Sequence, residues 1–344
     1  MFRLTSQETG GDLRMTWLIT GGAGYIGSHI ADMFLCDGKD VVIYDSLIHG
    51  HRSRVSYLEA KYSRKIPLII SDIRDVEAFK LCLDRYRPSG IVHAAALKSV
   101  AQSIEFPELY FEVNLNATSK ILDLITASKI RSFIYSSTAA VYGSSEIHDR
   151  MSEADPKLPI SPYGISKLLA EGLVEKFLQI DGNHGTSLRF FNVIGTAAPE
   201  LQDLSLENLV SIVIEKIKKD ESPAIFGSDY ETEDGTCVRD FVDVRDIARA
   251  HLAVANFEKP LPFAINVGTG KGSSVRNVIE AILKAAGREN LSILKLNRRK
   301  GDPDYSVADV KVARHALGFE AHYSMIDSIS SLFLTNTKPQ SIRF

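Results

Sequence analysis

The first half of the chain alternates short apolar runs with longer amphipathic segments. The runs, rich in β-branched and aromatic residues, are TWLIT (16–20), VVIYD (41–45), PLIIS (67–71), GIVHAAA (90–96), SFIYSS (132–137) and SLRFFNV (187–193). Between them lie segments such as 28–38, 74–86 and 116–129, and in the last of these Ala117, Ile121, Leu124 and Ile125 recur at helical spacing. Alternating strands and helices predict βαβ units and a parallel sheet covered on both faces.

The pattern also predicts how individual helices begin and end. Gly38 follows the first helical segment at a position where left-handed backbone favours glycine. Ser161 is a suitable N-cap, and Pro162 suits the first helical position of the segment that follows. After about residue 195 the alternation gives way to a helix at 206–219, a polar stretch to about 235 and a strand-like run at 263–268.

Composition narrows the class of protein. The 344 residues carry a net charge of −3, which argues against a protein built mainly to bind nucleic acid. Cys36, Cys82 and Cys237 are too few for a disulfide framework, so a reducing, cytoplasmic location is expected. No apolar run approaches the ~18 residues that span a bilayer. Residues 1–14 are polar, and we expect them to be a disordered extension without a secretory signal.

A glycine-rich stretch, TGGAGYIGS (20–28), follows the first predicted strand and opens a helix. Glycines there permit a tight turn and a close backbone approach to a pyrophosphate, which the helix N-terminus favours. Asp45 ends the next strand, where a carboxylate holds the ribose hydroxyls and repels a 2′-phosphate. We therefore predict NAD rather than NADP, although Arg52 and Arg54 lie downstream. The predicted cofactor contacts here are Gly21, Gly24, Tyr25, Ile26, Gly27 and Asp45.

Asp72 and Ile73 end the third predicted strand. A polar side chain at this sheet edge suits a hydrogen bond to an adenine. The alternative is that Asp72 is the N-cap of helix 74–86, and the two interpretations are compatible.

The stretch SPYGISK (161–167) places Tyr163 and Lys167 one helical turn apart on the same face. A nearby ammonium stabilises a phenolate, as does the positive charge of an oxidised nicotinamide, so the pair beside a bound NAD predicts a tyrosine with a lowered pKa that acts as a base. Thr138 ends the strand of SSTAAVYG (136–143), at the strand end where open α/β sheets bind ligands. Thr138, Tyr163 and Lys167 are the predicted catalytic residues.

These motifs, in this order, resemble the extended short-chain dehydrogenase/reductase superfamily, and within it the UDP-glucose 4-epimerase family. The resemblance runs from Thr16 to about residue 330 and is carried by TGGAGYIGSH (20–29), HAAALKSVAQS (93–103), FIYSSTAAVYG (133–143), SPYGISK (161–167), RFFN (189–192), IFGSDYETEDGTCVRDFVDV (225–244) and RRKGDPDYSVAD (298–309). It implies an NAD-dependent inversion of C4 of a UDP-sugar through a transient 4-keto sugar. It also implies a homodimer formed through helices around 100–128 and 163–178.

The resemblance assigns further residues at matching positions. Lys98 and Asn114 fall where the family contacts the cofactor, as do Tyr163 and Lys167. The implied UDP contacts are Asn192, Asn208, Leu209, Arg239, Arg299 and Asp302. Arginine forks bind a diphosphate well, although Arg299 with its basic neighbours Arg298 and Lys300 is alternatively a solvated patch. No metal site is expected.

One departure from the family pattern concerns the sugar. Ser306 occupies a position where hexose-only epimerases carry a tyrosine at the wall of the sugar pocket. We hypothesise that the smaller side chain admits a 2-acetamido group, so that UDP-GlcNAc and UDP-GalNAc are also accepted. The alternative is that Tyr305 swings in and closes the space.

The predicted fold is α/β: a Rossmann-type doubly wound parallel sheet with a smaller C-terminal substrate-binding lobe. We assign residues 15–195 to the NAD-binding domain, to which about 236–268 returns, and 196–344 mainly to the UDP-sugar-binding lobe. Competing functions are a 4-epimerase of another nucleotide sugar, such as a UDP-pentose or UDP-uronic acid, and a catalytically silent NAD-binding regulator. A 4,6-dehydratase is disfavoured, because Ala139 and Ala140 follow Thr138 where an Asp-Glu pair would be needed.

Overall fold

The computed structural model describes residues 15–143, 150–299 and 302–333, so the predicted extension 1–14 lies outside it. The strands are β1 Thr16–Thr20, β2 Asp40–Asp45, β3 Leu68–Ile70, β4 Gly90–His93, β5 Ser132–Thr138, β6 His184–Phe190, β7 Asn192–Ile194, β8 Ala224–Phe226, β9 Val238–Asp243, β10 Ala264–Val267, β11 Gly272–Ser274, β12 Leu294–Leu296 and β13 Tyr305–Ser306. The α-helices are α1 Tyr25–Cys36, α2 Arg52–Tyr62, α3 Val76–Tyr86, α4 Val100–Glu105, α5 Pro107–Tyr110, α6 Ala117–Ala127, α7 Pro162–Leu178, α8 Leu209–Lys218, α9 Val244–Ala255, α10 Val275–Ala285, α11 Lys311–Leu317 and α12 Met325–Ser331.

A seven-stranded parallel sheet, in the order β10-β6-β5-β4-β1-β2-β3, forms the centre of the molecule. The predicted doubly wound parallel sheet is therefore confirmed. The chain runs outward from β1 in one direction and from β4 in the other, so the strand order reverses between these two strands. In such sheets a crevice opens at this point, beyond the carboxyl ends of the strands, and ligands bind there.

Alternate residues of β1 point to opposite faces of the sheet, and each face has its own core. Trp17 and Ile19 pack with residues of α1 and α9, whereas Leu18 packs with residues of α3, α6 and α7. Both faces are thus covered by helices, which explains why the central strands are almost continuously apolar.

Two local predictions need correction. SLRFFNV was expected to be one strand, but β6 ends at Phe190 and Asn192 begins β7, which pairs with β9 in a separate four-stranded sheet. Asp72 is not a helix N-cap: α3 begins at Val76, and the carboxylate of Asp75 accepts the amide of Ala78 at 3.0 Å. Three residues of turn separate Asp72 from that first helical turn.

Other local predictions are confirmed. Gly38 has φ +82° directly after the C-cap of α1, and the Ser161 side chain caps α7 by accepting the amide of Gly164. The predicted helix at 206–219 is α8, which begins later because Asn208 is still extended.

The second sheet contains β7, β9, β11 and β13, and it packs with α8, α10 and α12 around a separate apolar core. Strand β10 lies in the large sheet although β9 and β11 do not. The exact domain boundaries at 195 and 236–268 stay a prediction. Within the described residues, no helix is long and apolar enough to cross a membrane.

Candidate active site

The glycine-rich loop between β1 and α1 is shaped for a close approach of a phosphate. Gly21 has φ +68°, and a Cβ at Gly27 would lie 2.1 Å from the carbonyl oxygen of Gly21. Gly24 caps α1 without a side-chain hydrogen bond, so the first-turn amides have no side-chain acceptor there. The loop thus fits a pyrophosphate at a helix N-terminus, as a dinucleotide requires.

Asp45 lies at the end of β2, beside this loop. Its carboxylate accepts the amides of Ala23 at 2.9 Å and Leu47 at 2.8 Å, and burial raises its pKa above the usual aspartate value. Arg54 is buried, and its guanidinium donates to the carbonyl oxygens of Ala23 (3.1 Å) and Gln202 (2.6 Å). The Arg54 guanidinium therefore binds backbone carbonyl groups, and the Asp45 carboxylate supplies the charge at this edge of the sheet.

Tyr25 and Ile26 open α1, and the side chain of Tyr25 also contacts a segment far along the chain. Its hydroxyl donates to the carbonyl oxygen of Gly195 at 2.6 Å. One turn later, Nε2 of His29 accepts the amide of Ala197 at 3.0 Å. The segment 195–205 is thereby fastened to the helix that carries the glycine loop.

Asp72 and Ile73 lie in the turn after β3. The Asp72 carboxylate accepts two guanidinium hydrogen bonds from Arg74, at 2.9 and 2.7 Å, and this pairing lowers its pKa. Ile73 is buried. Their predicted adenine contacts remain predictions, with the Asp72 backbone at the sheet edge held by the Tyr44 hydroxyl at 3.1 Å.

Lys98 and Asn114 differ in their present contacts. The Lys98 ammonium donates to Ser205 at 3.0 Å and lies 3.7 Å from the Asp203 carboxylate, so it contacts the 195–205 segment. Asn114 is buried in a π-helical segment, Phe111–Asn116, and pairs with both backbone groups of Leu97 at 2.9 Å. Asn114 thus holds the loop after β4 in place.

The three predicted catalytic residues come together at the end of β5. Tyr163, in the first turn of α7, lies close enough to Thr138 for that side chain to act on the pKa of its phenol. Lys167 is buried one turn later and donates to the carbonyl oxygen of Ser136 at 2.6 Å, with its ammonium 4.2 Å from the centroid of the Tyr135 ring.

Burial changes the electrostatics of this pair. Burial raises the pKa of Tyr163 above the usual tyrosine value, and the Thr138 side chain opposes this only in part. Burial lowers the pKa of Lys167 to about 7, and nearby Glu171 opposes that shift. The polypeptide alone therefore does not lower the tyrosine pKa, so a phenolate needs positive charge in addition to Lys167.

Two of the residues predicted to bind the UDP moiety, Asn192 and Arg239, lie on the second sheet. Arg239 on β9 donates to the Asp302 carboxylate at 2.5 Å, and Ser306 on β13 is its register partner. Asn192 begins β7 and is exposed. Farther off, Arg299 stacks 3.9 Å from the centroid of the Phe226 ring.

Asn208 and Leu209 mark the start of α8. The Asn208 amide donates to the Asp203 carboxylate at 2.5 Å, and Leu209 is partly buried against the core of the second sheet. Ser306 contacts the Met151 sulfur at 3.8 Å.

Sequence reasoning missed two features. Phe226, which supports Arg299, offers a flat face for a base, and its position in the distinctive 225–244 block is a signal. Glu171, which faces Lys167, follows it at helical i+4 spacing. In the part of the chain that the structure describes, no three His, Cys, Asp or Glu side chains are grouped to hold a metal.

Comparisons with known proteins agree with this geometry. The profile of the NAD dependent epimerase/dehydratase family matches residues 17–268. UDP-glucose 4-epimerase from Rhizobium meliloti (strain 1021) is 34% identical over 316 residues, which cover 90% of this chain and 93% of that protein.

Two solved structures have the same fold over almost their whole length. UDP-glucose 4-epimerase from Stenotrophomonas maltophila, with bound NAD and formylated UDP-arabinopyranose, has a TM-score of 0.87 at 31% identity and covers 93% of this chain and 97% of that one. The UDP-Glc/GlcNAc 4-epimerase from Campylobacter jejuni has a TM-score of 0.80 at 32% identity, covering 93% and 98%.

Proposed function

Because the chain belongs to the NAD-dependent epimerase/dehydratase family, and within it to the UDP-glucose 4-epimerases, we propose that Tyr163 carries the proton transfer of an NAD-dependent 4-epimerisation of a UDP-hexose. The observation that carries this proposal is the cluster of Thr138, Tyr163 and Lys167 at the end of β5. This cluster lies at the same edge of the parallel sheet as the glycine loop after β1, where ligands bind.

The chain offers a suitable group for each part of NAD. The Gly21–Gly27 turn and the first amides of α1 suit the pyrophosphate, and Asp45 suits ribose hydroxyls while repelling a 2′-phosphate. Bound there, NAD would supply reversible hydride transfer at C4 of the sugar and, in its oxidised form, a positive charge.

Tyr163 handles the proton. As a phenolate it takes the proton of the sugar 4-hydroxyl as C4 becomes a ketone, and it returns the proton when C4 is reduced on the opposite face. The Thr138 side chain favours the phenolate, and the Lys167 ammonium one helical turn away adds positive charge on the same face of α7. Since burial raises the pKa of Tyr163, these contacts and the positive charge of the bound cofactor have to act together.

The UDP moiety is held by arginines. Arg239 is 8% exposed and oriented by Asp302, which gives it a fixed fork for a phosphate. Arg299 and Phe226 form a flat cationic stack suited to one face of a uracil. A firm grip on UDP leaves the hexose free to present either face of its C4.

The sugar range includes N-acetylated hexoses. Ser306 is small and partly buried, and its hydroxyl meets the flexible side chain of Met151 rather than a ring. Such a wall leaves room for a 2-acetamido group, provided that Tyr305 does not turn inward. The Campylobacter jejuni relative is named for both sugar pairs, which supports this range.

The test is incubation of the purified protein with UDP-glucose, UDP-galactose, both N-acetylated counterparts, UDP-arabinose and UDP-glucuronate, with products separated by anion exchange. Conversion of the hexoses to their C4 epimers is the expected result. Conversion of the pentose alone favours the alternative substrate, for which the structure with formylated UDP-arabinopyranose is the precedent. No conversion of any sugar, with NAD bound, indicates a silent NAD-binding regulator.

We also propose that the protein is a homodimer, with α4, α5 and α7 at the interface. Exposed apolar side chains cluster on these helices and the turn between α4 and α5: Val100, Ile104, Phe106, Leu109 and Leu169. A second copy of the chain covers this surface, which is continuous with the segments implicated by sequence. Sedimentation should give a dimer, and Ile104→Glu should give a monomer; a monomeric parent protein contradicts the proposal. The expected cytoplasmic location is tested by cell fractionation.

A further inference from the structure

Three residues on one face of α7 hold the end of β5. Tyr163 lies beside Thr138, whose side chain acts on its pKa, Lys167 donates to the carbonyl oxygen of Ser136 at 2.6 Å, and Glu171 accepts the Ser137 hydroxyl at 2.5 Å. The three are spaced by four residues, so they lie one above another on the helix. The orientation of Tyr163 and Lys167 is thus linked to Glu171, which follows Lys167 by one helical turn.

Glu171 is held in a buried ion pair. Its carboxylate accepts Nε of Arg189 at 3.0 and 3.2 Å and one terminal nitrogen of Arg189 at 2.6 Å, in addition to the Ser137 hydroxyl. The other terminal nitrogen of Arg189 donates to the Tyr142 hydroxyl at 2.9 Å, and Tyr142 donates to Asn266 at 2.7 Å. The Arg189 and Glu171 side chains are 5% and 7% exposed.

Stability alone does not explain such a pair. Replacing a buried ion pair by apolar residues of similar volume is often neutral or stabilising. The pair lies directly against the residues that perform the chemistry, since Ser137 separates Thr138 from Ser136 in β5. A role in the reaction is the more economical account of a carboxylate placed there.

We propose that Glu171 is a positioning residue for the epimerisation, which orients the end of β5 through Ser137 and keeps Lys167 cationic beside Tyr163. This inference rests on the proposed function, because Lys167 matters as the electrostatic support of the tyrosine. The Glu171 carboxylate is buried and engaged by Ser137 and Arg189, so it acts through its neighbours.

The charges around Lys167 make its protonation depend on Glu171. Tyr135 on β5 contacts the ammonium with its ring, and His93 on β4 is neutral because burial lowers its pKa to about 3. Tyr163 and Glu171 face it from its own helix, and Arg189 on β6 faces Glu171. Burial lowers the pKa of Lys167 to about 7, and Glu171 is the group that opposes it. Without that carboxylate, Arg189 stands uncompensated and Lys167 loses its proton at lower pH.

The test is the pH dependence of kcat in Glu171→Gln, an exchange of nearly equal shape. Removing one neighbouring charge at an effective dielectric of ~20 should move the alkaline limb down by about one pH unit. KM for the UDP-sugar should stay within about twofold, as UDP is held elsewhere. Glu175→Gln, the same exchange one turn farther along α7, is the control and should leave the profile in place. A uniform loss of kcat with an unshifted profile would overturn the proposal.

Two further measurements separate orientation from charge. Ser137→Ala keeps the carboxylate but cuts its contact with β5, so it should lower kcat without moving the pH profile. The near-ultraviolet tyrosinate absorbance of Tyr163, measured on the NAD-bound protein as the difference from Tyr163→Phe, should appear at higher pH in Glu171→Gln than in the parent protein. An unchanged titration would overturn the electrostatic part of the proposal.

The titration needs no turnover and is run on the folded parent protein and variant alike. A parent protein that converts no UDP-sugar refutes the proposed function, whereas an active parent with no shift in Glu171→Gln refutes only this inference. If Glu171→Gln fails to fold, the paired variant Glu171→Met/Arg189→Met removes both charges together. It should fold, and its tyrosinate titration should again differ from that of the parent; an identical titration overturns the proposal.

Discussion

Acidification should destabilise the protein through histidines that are buried in neutral form, and His251 is the one hydrogen-bonded to Ser136 on the catalytic strand. Its Nδ1 donates to the carbonyl oxygen of Ile247 at 2.8 Å, and its Nε2 lies 3.0 Å from the Ser136 hydroxyl, from which it accepts. A proton added at Nε2 would find no acceptor lone pair unless the hydroxyl turned away. Accordingly, burial lowers the pKa of His251 to about 4.

The sign and size of this effect on the free energy of unfolding follow from proton linkage. Between about pH 6.5, the unfolded value, and about pH 4, the unfolded chain binds more protons at this histidine than the native protein does. Stability therefore rises with pH across this window and is lost as the pH falls through it. Because of His251 alone, the free energy of unfolding should be about 2 kcal/mol lower at pH 5 than at pH 8. His29 and His93, with pKa values lowered to about 4 and about 3, act in the same direction.

The assay is urea unfolding of the parent protein and His251→Gln at a series of pH values from 8 to 5. Only the difference between the two proteins is interpreted, because buried carboxylates such as Asp240, whose pKa is raised by burial, titrate in both. The parent should be the more stable at pH 8, and its advantage should shrink by about 2 kcal/mol at pH 5. His49→Gln, the same exchange at an exposed position, is the control. A difference that stays constant from pH 8 to 5 would refute the reasoning.

Three further substitutions test the site. Tyr163→Phe should fold and keep NAD but lose at least about 10²-fold in kcat, measured by product separation, since general acid–base catalysis contributes that much; near-parental turnover excludes Tyr163 as the base. Gly27→Ala should weaken NAD at least about tenfold in a binding titration, because its Cβ would meet the Gly21 carbonyl oxygen, whereas Gly172→Ala, at an open helical position, should leave NAD binding unchanged. Ser306→Tyr should abolish turnover of the N-acetylated pair while sparing the hexoses, and full activity on both pairs would contradict the pocket-wall argument.

Sequence patterns predicted the helices and strands in which the conformation favoured by the local residues is also the one that the whole fold requires. TWLIT is strand β1 residue for residue, because a fully buried strand next to a glycine turn leaves little freedom in its ends. Ser161 and Gly38 likewise act through contacts within a few residues of themselves. In contrast, α2 was not predicted: its sequence is largely polar, and only Arg54, Val55 and Leu58 are buried.

The candidate site shows the same contrast between features that local sequence predicts and features that only the folded protein determines. The pattern brought Thr138, Tyr163 and Lys167 together, because strand ends and helix starts of one parallel sheet meet at one edge. It did not predict the burial of Tyr163, which raises the pKa of the tyrosine and is a property of the assembled protein. It was also silent on the pairing of Arg189 with Glu171, which joins β6 to α7.

The fastening of the 195–205 segment has a kinetic consequence. Tyr25 and Arg54, which flank the glycine loop, hold Gly195 and Gln202, while Lys98 holds Ser205. The loop on which a dinucleotide would sit is thereby preorganised, and opening it would require these hydrogen bonds to break. The residence time of the cofactor should then exceed many turnovers, so that NAD behaves as a prosthetic group, recycled in place, rather than as a co-substrate drawn from the cellular pool.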